Sequence, residues 1–139
     1  MARAQDYLAY IIATVNKRLE DELEERLREV GIPIEQMRVL EALRGEEGLP
    51  MGELAVRALV EPTTLTKMVD RMTADGLVQR LLDAQDRRRV LIVLAPAGVA
   101  TLKRLSRIAA SQEARLKRRM PQSRMAELRT LLRNLTAEG

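Results

Sequence analysis

Apolar residues recur at three- and four-residue steps through almost the whole chain, and only residues 77–94 replace that rhythm with another. Such steps keep side chains on one face of an α-helix, so the fold must be mostly amphipathic helix with one short insert of a different kind. Over residues 7–30 the stripe is Leu8, Ile11, Ile12, Val15, Leu19, Leu23, Leu27 and Val30, while Lys17, Arg18, Glu20, Asp21 and Glu24 fill the other face. Gly31 stands where a left-handed C-terminal cap belongs, and Pro33 is suited to open the next helix. Ile34, Met37, Leu40 and Leu43 then mark a short second helix, and RGEEGLP (44–50) reads as a loop from its Gly and Pro content. Residues 51–59 read as a third helix and 62–74 as a fourth, ended by Gly76. In the insert, LVQRLL (77–82) and VLIVL (90–94) flank the polar DAQDRRR (83–89), which predicts an antiparallel hairpin. Pro96 opens a fifth helix striped by Val99, Leu102, Leu105, Ala109, Gln112, Leu116 and Met120. Pro121 opens a sixth with Met125, Leu128, Leu132 and Leu135 on one side.

The expected fold class is therefore mainly α with a small β-hairpin. A small central lobe is bracketed by long helices that carry more apolar stripe than the lobe can bury, and that surplus predicts a homodimer. No apolar run approaches the roughly 18 residues of a membrane span. MARAQDYLAY lacks a basic patch followed by an apolar core, so no signal peptide is expected, and a cysteine-free chain fits a reducing cytoplasm.

Missing residue types narrow the function further. There is no His, Cys, Trp or Phe, and the only aromatics are Tyr7 and Tyr10. Without His or Cys the usual acid–base, nucleophilic and transition-metal groups are gone, so neither an enzyme nor a bound cofactor is expected. Two tyrosines offer no platform for stacking single-stranded bases. The net charge of +4 is unevenly spread: residues 1–50 hold 7 basic against 11 acidic side chains, whereas 103–139 hold 10 against 3. A basic balance suits nucleic acid but also suits solvated helix faces.

Two short helices joined by a tight turn and followed by a charged hairpin form an arrangement that sets one helix in a major groove. Leu65, Met68, Val69 and Met72 give the fourth helix a core face. Thr63, Thr66, Lys67, Asp70 and Arg71 lie opposite, with Thr64 beside them near the helix start. Hydroxyls near a helix N-terminus, with Lys and Arg further on, suit contacts to base edges and phosphates; an ordinary solvated face has the same composition. The hairpin favours the first reading. Arg87, Arg88 and Arg89 stand together at its tip behind Asp83 and Asp86. Arginines on a two-stranded tip suit the negative potential of a narrow minor groove, and Asp86 is placed to fix Arg88 by a bidentate salt bridge. The basic run Arg115, Lys117, Arg118, Arg119 sits at the far end of the fifth helix, where a solvated face or pairing with the acidic segment 20–29 is expected.

The order of these elements resembles the MarR family (multiple antibiotic resistance regulators) over nearly the full chain. The matching residues are Gly31-Ile32 with Gln36, Val39 and Leu40; Leu54-Ala55; Thr64 through Met72; Gly76-Leu77-Val78; and Asp86-Arg87-Arg88 through Leu94 and Gly98. Three positions depart from the family pattern. Glu61 stands where a capping serine is common, Ala95 replaces a threonine cap, and Leu59 replaces a turn glycine. A carboxylate at position 61 suits the helix dipole but repels a nearby phosphate.

The resemblance implies a single domain over 1–139. Within it, a winged helix-turn-helix DNA-binding lobe spans 33–94, and dimerisation helices span 1–30 and 96–139. It implies a repressor that binds a palindromic operator in double-stranded DNA as a homodimer. Thr63, Thr64, Thr66, Lys67, Arg71, Asp86, Arg87, Arg88 and Arg89 would contact the DNA, with Arg88 directed to the minor groove. It also implies release by a small anionic or phenolic ligand held between the first, second and fifth helices. Val15, Arg18, Met37 and Leu40 are suitably placed there but serve equally well as core or surface, so no ligand site is assigned. The absence of cysteine excludes the thiol-oxidation switch of some relatives. Two alternatives stay open: a sequence-tolerant architectural DNA-binding protein, and a winged-helix protein-interaction module.

Overall fold

A computed structural model describes residues 3–137, so the two residues at each end of the expected 1–139 unit lie outside the described residues. After a single 3-10 turn at Ala4–Asp6, the elements follow the expected order. They are α1 (Leu8–Leu27), α2 (Ile34–Ala42), β1 (Leu49–Pro50), α3 (Met51–Ala58), α4 (Pro62–Ala74), β2 (Val78–Leu82), β3 (Val90–Leu94), α5 (Pro96–Lys117) and α6 (Gln122–Thr136). One element was not expected. Residues 44–50 read as a loop, yet Leu49–Pro50 pairs antiparallel with Leu91–Ile92 and makes the hairpin a three-stranded sheet of order β1-β3-β2. A two-residue edge strand containing a proline carries no alternation that a sequence could display, and its pairing is a purely tertiary event.

Helix ends follow local chemistry. α1 closes with Gly31 at φ +74°, where the Ile32 N–H reaches the Leu27 carbonyl and the Gly31 N–H reaches Arg28, the paired bonds of a Schellman cap. Gly76 ends α4 the same way, with Leu77 N–H bonded to the Met72 carbonyl. Proline at the first position opens both α4 and α5, where its missing N–H costs nothing.

A single core joins α2, α3 and α4 to the sheet and to the first turns of α5. Val39, Leu40, Leu54, Leu65, Val69, Met72, Ile92 and Leu105 are fully buried in it. Gly98 holds α5 against β2 more closely than any side chain would allow, since a Cβ there would sit 2.0 Å from the Leu77 carbonyl oxygen. That oxygen also accepts the Ala95 N–H, so the wing and α5 are fixed to each other through backbone. The long helices are buried far less. Leu27 is the only residue of α1 that is buried, and Met125 the only one of α6. Among the described residues no helix is long and apolar enough to cross a membrane.

Candidate nucleic-acid interface

α4 is locked from behind and free in front. Leu65, Val69 and Met72 are buried with Met68 partly so, which fixes the rotation of the helix about its axis. Thr63, Thr64, Thr66, Lys67, Asp70 and Arg71 consequently all lie exposed on the other side. The Thr66 hydroxyl donates to the Pro62 carbonyl at 3.1 Å, which sets its rotamer and uses its one hydrogen, so that its oxygen can meet a further group only as an acceptor. Arg71 lies 3.6 Å from Asp75 one turn on, an exposed pair that leaves the guanidinium available. Asp70 is bound by Arg80 of β2, a strut between α4 and the wing. Sequence reasoning placed Asp70 on this face but gave no sign of the Arg80 partner, because a ten-residue separation across two elements has no local signature.

The wing tip is shaped by Asp83 and Asp86. Asp83 Oδ1 accepts the Gln85 N–H at 2.9 Å, and its own N–H bonds to the Arg89 carbonyl at 3.0 Å. Asp86 Oδ1 accepts both the Arg88 N–H at 3.1 Å and Arg88 Nε at 3.4 Å. The expected bidentate fork is therefore corrected: one carboxylate oxygen takes one guanidinium nitrogen and the backbone, because an i, i+2 turn brings the Arg88 main chain to the carboxylate first. Arg87, Arg88 and Arg89 all project into solvent, with the Arg88 side chain 93% exposed. At the far end of α5, Arg115 does turn to the acidic segment, 3.9 Å from Glu22, whereas Lys117, Arg118 and Arg119 stay exposed.

The turn between α3 and α4 departs from the other helix ends. It has the same hydrogen bonds as the glycine caps, Val60 N–H to Ala55 and Leu59 N–H to Val56, but the left-handed residue is Leu59, at φ +59°. No other non-glycine residue among those described has a positive φ.

Behind this turn lies a cavity of about 480 Å³ between α1, α2, α3 and α5. Leu19, Leu23, Ile34, Met37, Ala42 and Leu59 make its apolar wall. Of the four positions named from sequence only Met37 reaches it; Leu40 is fully buried in the core, and Val15 and Arg18 are not part of the wall. Its charged members are Glu20, Arg38, Glu41 and Arg57. Arg38 and Glu20 pair at 2.5 Å, tying α2 to α1. Arg57 is held by Glu46 and Glu53, each at 2.7 Å, and the hydrogen bond that it donates to Glu46 is the main cause of its raised pKa. No periodicity in the sequence announces this cluster, since its members come from four elements.

A helix-turn-helix whose second helix shows an exposed hydroxyl-and-basic face, followed by an arginine-tipped wing, defines the winged helix-turn-helix class. Comparison with known proteins narrows the class. The MarR family profile matches residues 30–89. A transcriptional regulator of the MarR family from Silicibacter pomeroyi superimposes with a TM-score of 0.79 at 34% identity, covering 94% of this chain and 89% of that one. The Multiple antibiotic resistance protein MarR of Escherichia coli is 33% identical over 93 residues, 67% of this chain and 65% of that protein. A mutant MarR from E. coli complexed with operator DNA superimposes with a TM-score of 0.83 at 27% identity, over 94% of both chains. The chain belongs to the MarR family. Its matches span just under two thirds of the length of the first curated relatives, 64% and 65%.

Proposed function

We infer that this protein is a DNA-binding transcription regulator, a repressor that occupies a palindromic operator as a homodimer and leaves it when a small molecule binds. The observation that carries this reading is the pairing of two exposed surfaces on one rigid lobe. Thr63, Thr64, Thr66, Lys67 and Arg71 lie on the free face of α4, and Arg87, Arg88 and Arg89 lie at the tip of a wing that Arg80 and Asp70 tie to that helix. Short hydroxyls read base edges, Lys67 and Arg71 neutralise phosphates, and Arg88 enters the minor groove with Asp86 at its base. The complex of the E. coli relative with operator DNA supports the same assignment. Residues 33–94 form the DNA-binding lobe, and the helices of 1–30 and 96–139 form the dimer, whose symmetry places two α4 helices about one helical turn, near 34 Å, apart. Such a protein works in the cytoplasm and has no enzymatic step.

The test is selection of bound sequences from random duplex DNA, followed by a salt titration on the selected and a scrambled duplex. An inverted repeat bound at least a thousandfold more tightly than scrambled DNA is the expected result. Equal affinity for all duplexes would make the chain an architectural DNA-binding protein. No binding at low salt would leave a protein-interaction module.

A further inference from the structure

The outward face of α5 carries cations that pair with no carboxylate among the described residues. Lys103, Arg104 and Arg107 stand exposed on it within little more than one turn. The ion pairs of this helix are Arg115 to Glu22 and Glu113 to Arg129, and neither involves these three. Arg44, exposed just beyond α2, joins them. Its Nη2 donates to Ser106 Oγ at 2.5 Å, and Ser106 itself donates to the Leu102 carbonyl at 2.9 Å. A neutral hydroxyl thus holds the guanidinium against α5 and leaves its charge unopposed. Arg118 falls on the same face as Arg107, about three turns on, with Ala110 and Ala114 exposed between them. Like charges one turn apart on a helix repel, and an anion that meets the row relieves the repulsion. α4 and α5 line one core, through Leu65, Val69 and Met72 and through Leu102 and Leu105, without packing closely on each other. Their outward faces therefore lie on different sides of that core, and a stiff duplex seated on α4 and the wing does not reach α5.

What the row fits is decided by what it lacks. Between Ala100 and Arg118 the face exposes no large apolar side chain, whereas a protein interface needs an apolar core inside its polar rim. Exposed charge pairs with an acidic protein surface would contribute little in water. A DNA duplex asks only for cations: it presents about one negative charge per 1.7 Å of its axis, and each neutralised phosphate releases a counterion. We propose that the outward face of α5, through Lys103, Arg104 and Arg107 with Arg44 beside them, binds the backbone of a second DNA duplex without regard to sequence. One regulator then bridges two DNA segments. The bridging rests on the operator reading above, which supplies the first duplex; the affinity of the α5 face for a duplex does not.

Surface capture with the whole protein tests this. The duplex selected from random DNA is immobilised and saturated with protein, excess protein is washed away, and a labelled scrambled duplex is passed over it. The second duplex is expected to be retained at about 50 mM salt and released by about 200 mM. The triple variant Lys103→Gln, Arg104→Gln, Arg107→Gln removes charge at exposed positions and keeps helix propensity, so the fold is preserved. It is expected to hold the second duplex at least tenfold more weakly and the immobilised duplex unchanged. No retention by the unaltered protein overturns the proposal, as does retention that the triple variant leaves intact. Equal weakening of the immobilised duplex would place these residues on the first duplex and overturns it too. So does poly-L-glutamate that displaces the second duplex at equal charge concentration, which would make the partner an acidic protein surface. If no sequence is selected, scrambled-duplex binding that falls at least tenfold in the triple variant keeps this site and retires the operator reading alone. A selected palindrome with no second duplex retained retires this proposal alone.

Discussion

Leu59 does at the α3–α4 turn what glycine does at the ends of α1 and α4. The hydrogen bonds of the three caps are alike, so the difference is confined to a Cβ in left-handed space, which costs an L-residue roughly 1–2 kcal/mol. The Leu59 side chain recovers little through burial, being 76% exposed. Replacing it with glycine removes the strain but raises the entropy of the unfolded chain, and the net expectation is a gain of about 0.5–1 kcal/mol. Urea unfolding of Leu59→Gly at fixed protein concentration should show a higher midpoint with an unchanged slope. A lower midpoint would mean that the leucine holds the turn through contacts worth more than its strain.

α4 and the wing present two kinds of basic side chain, and the way each is held decides its role. Lys67 and Arg71 extend from a helix whose back is buried, so they are positioned by the core. Arg88 extends from a hairpin tip and is positioned by Asp86 alone. At this exposure the pair adds little to stability, and in the proposed function its value lies in pre-setting the arginine for a groove. Asp86→Ala and Arg88→Ala should each weaken binding to the selected duplex, and the double variant should cost about 1 kcal/mol less than the two summed. Losing Arg88 should also reduce preference for A·T-rich flanks, whereas losing Arg87 or Arg89 should weaken all duplexes alike and lower the salt slope by about one unit. Additive losses with unchanged flank preference would reduce the wing to an electrostatic clamp. Asp86 also caps the turn through the Arg88 N–H, so Asp86→Asn separates the charge from the cap.

At the scale of the whole molecule the two ends of the chain are left uncovered. Tyr7, Leu8, Tyr10, Ile11, Ile12 and Val15 of the first helical segment are exposed, as are Leu128, Leu131, Leu132 and Leu135 of α6. α6 touches the rest of the chain only slightly, chiefly through Met125 and an Arg129–Glu113 ion pair. A helix with that little support is marginal alone and needs a partner surface, which a second copy would supply in the proposed dimer. Glutamates at both Leu128 and Leu132 would bury unpaired carboxylates in that surface at a cost of roughly 4 kcal/mol, about a thousandfold in dimer affinity. Analytical sedimentation should then show monomers or aggregates in place of a dimer. A soluble, well-folded monomer of the unaltered protein would refute the dimer itself.

What the sequence determined by itself was everything written in local spacing. The six helices, the hairpin, the buried face of α4 and the exposed face opposite it followed from three- and four-residue steps, from prolines at helix starts and from glycines at helix ends. Those features act within a few residues, where backbone geometry alone links position to direction. Eight of the nine residues named for DNA contact are exposed, and Asp86 is half-buried; the leucines and valines behind α4 leave its polar residues nowhere else to go, and three consecutive arginines at a hairpin tip cannot be buried. Only the tertiary structure decided the rest. β1 exists because α3 happens to begin beside β3, and Asp70 meets Arg80 because the helix and the wing share one core. The cavity behind the turn draws Asn16, Glu20, Arg38, Glu41, Arg57 and Gln112 from four helices. Whether a carboxylate such as Glu41 ends with a partner or without one depends on how those helices are packed, and no periodicity along the chain records that.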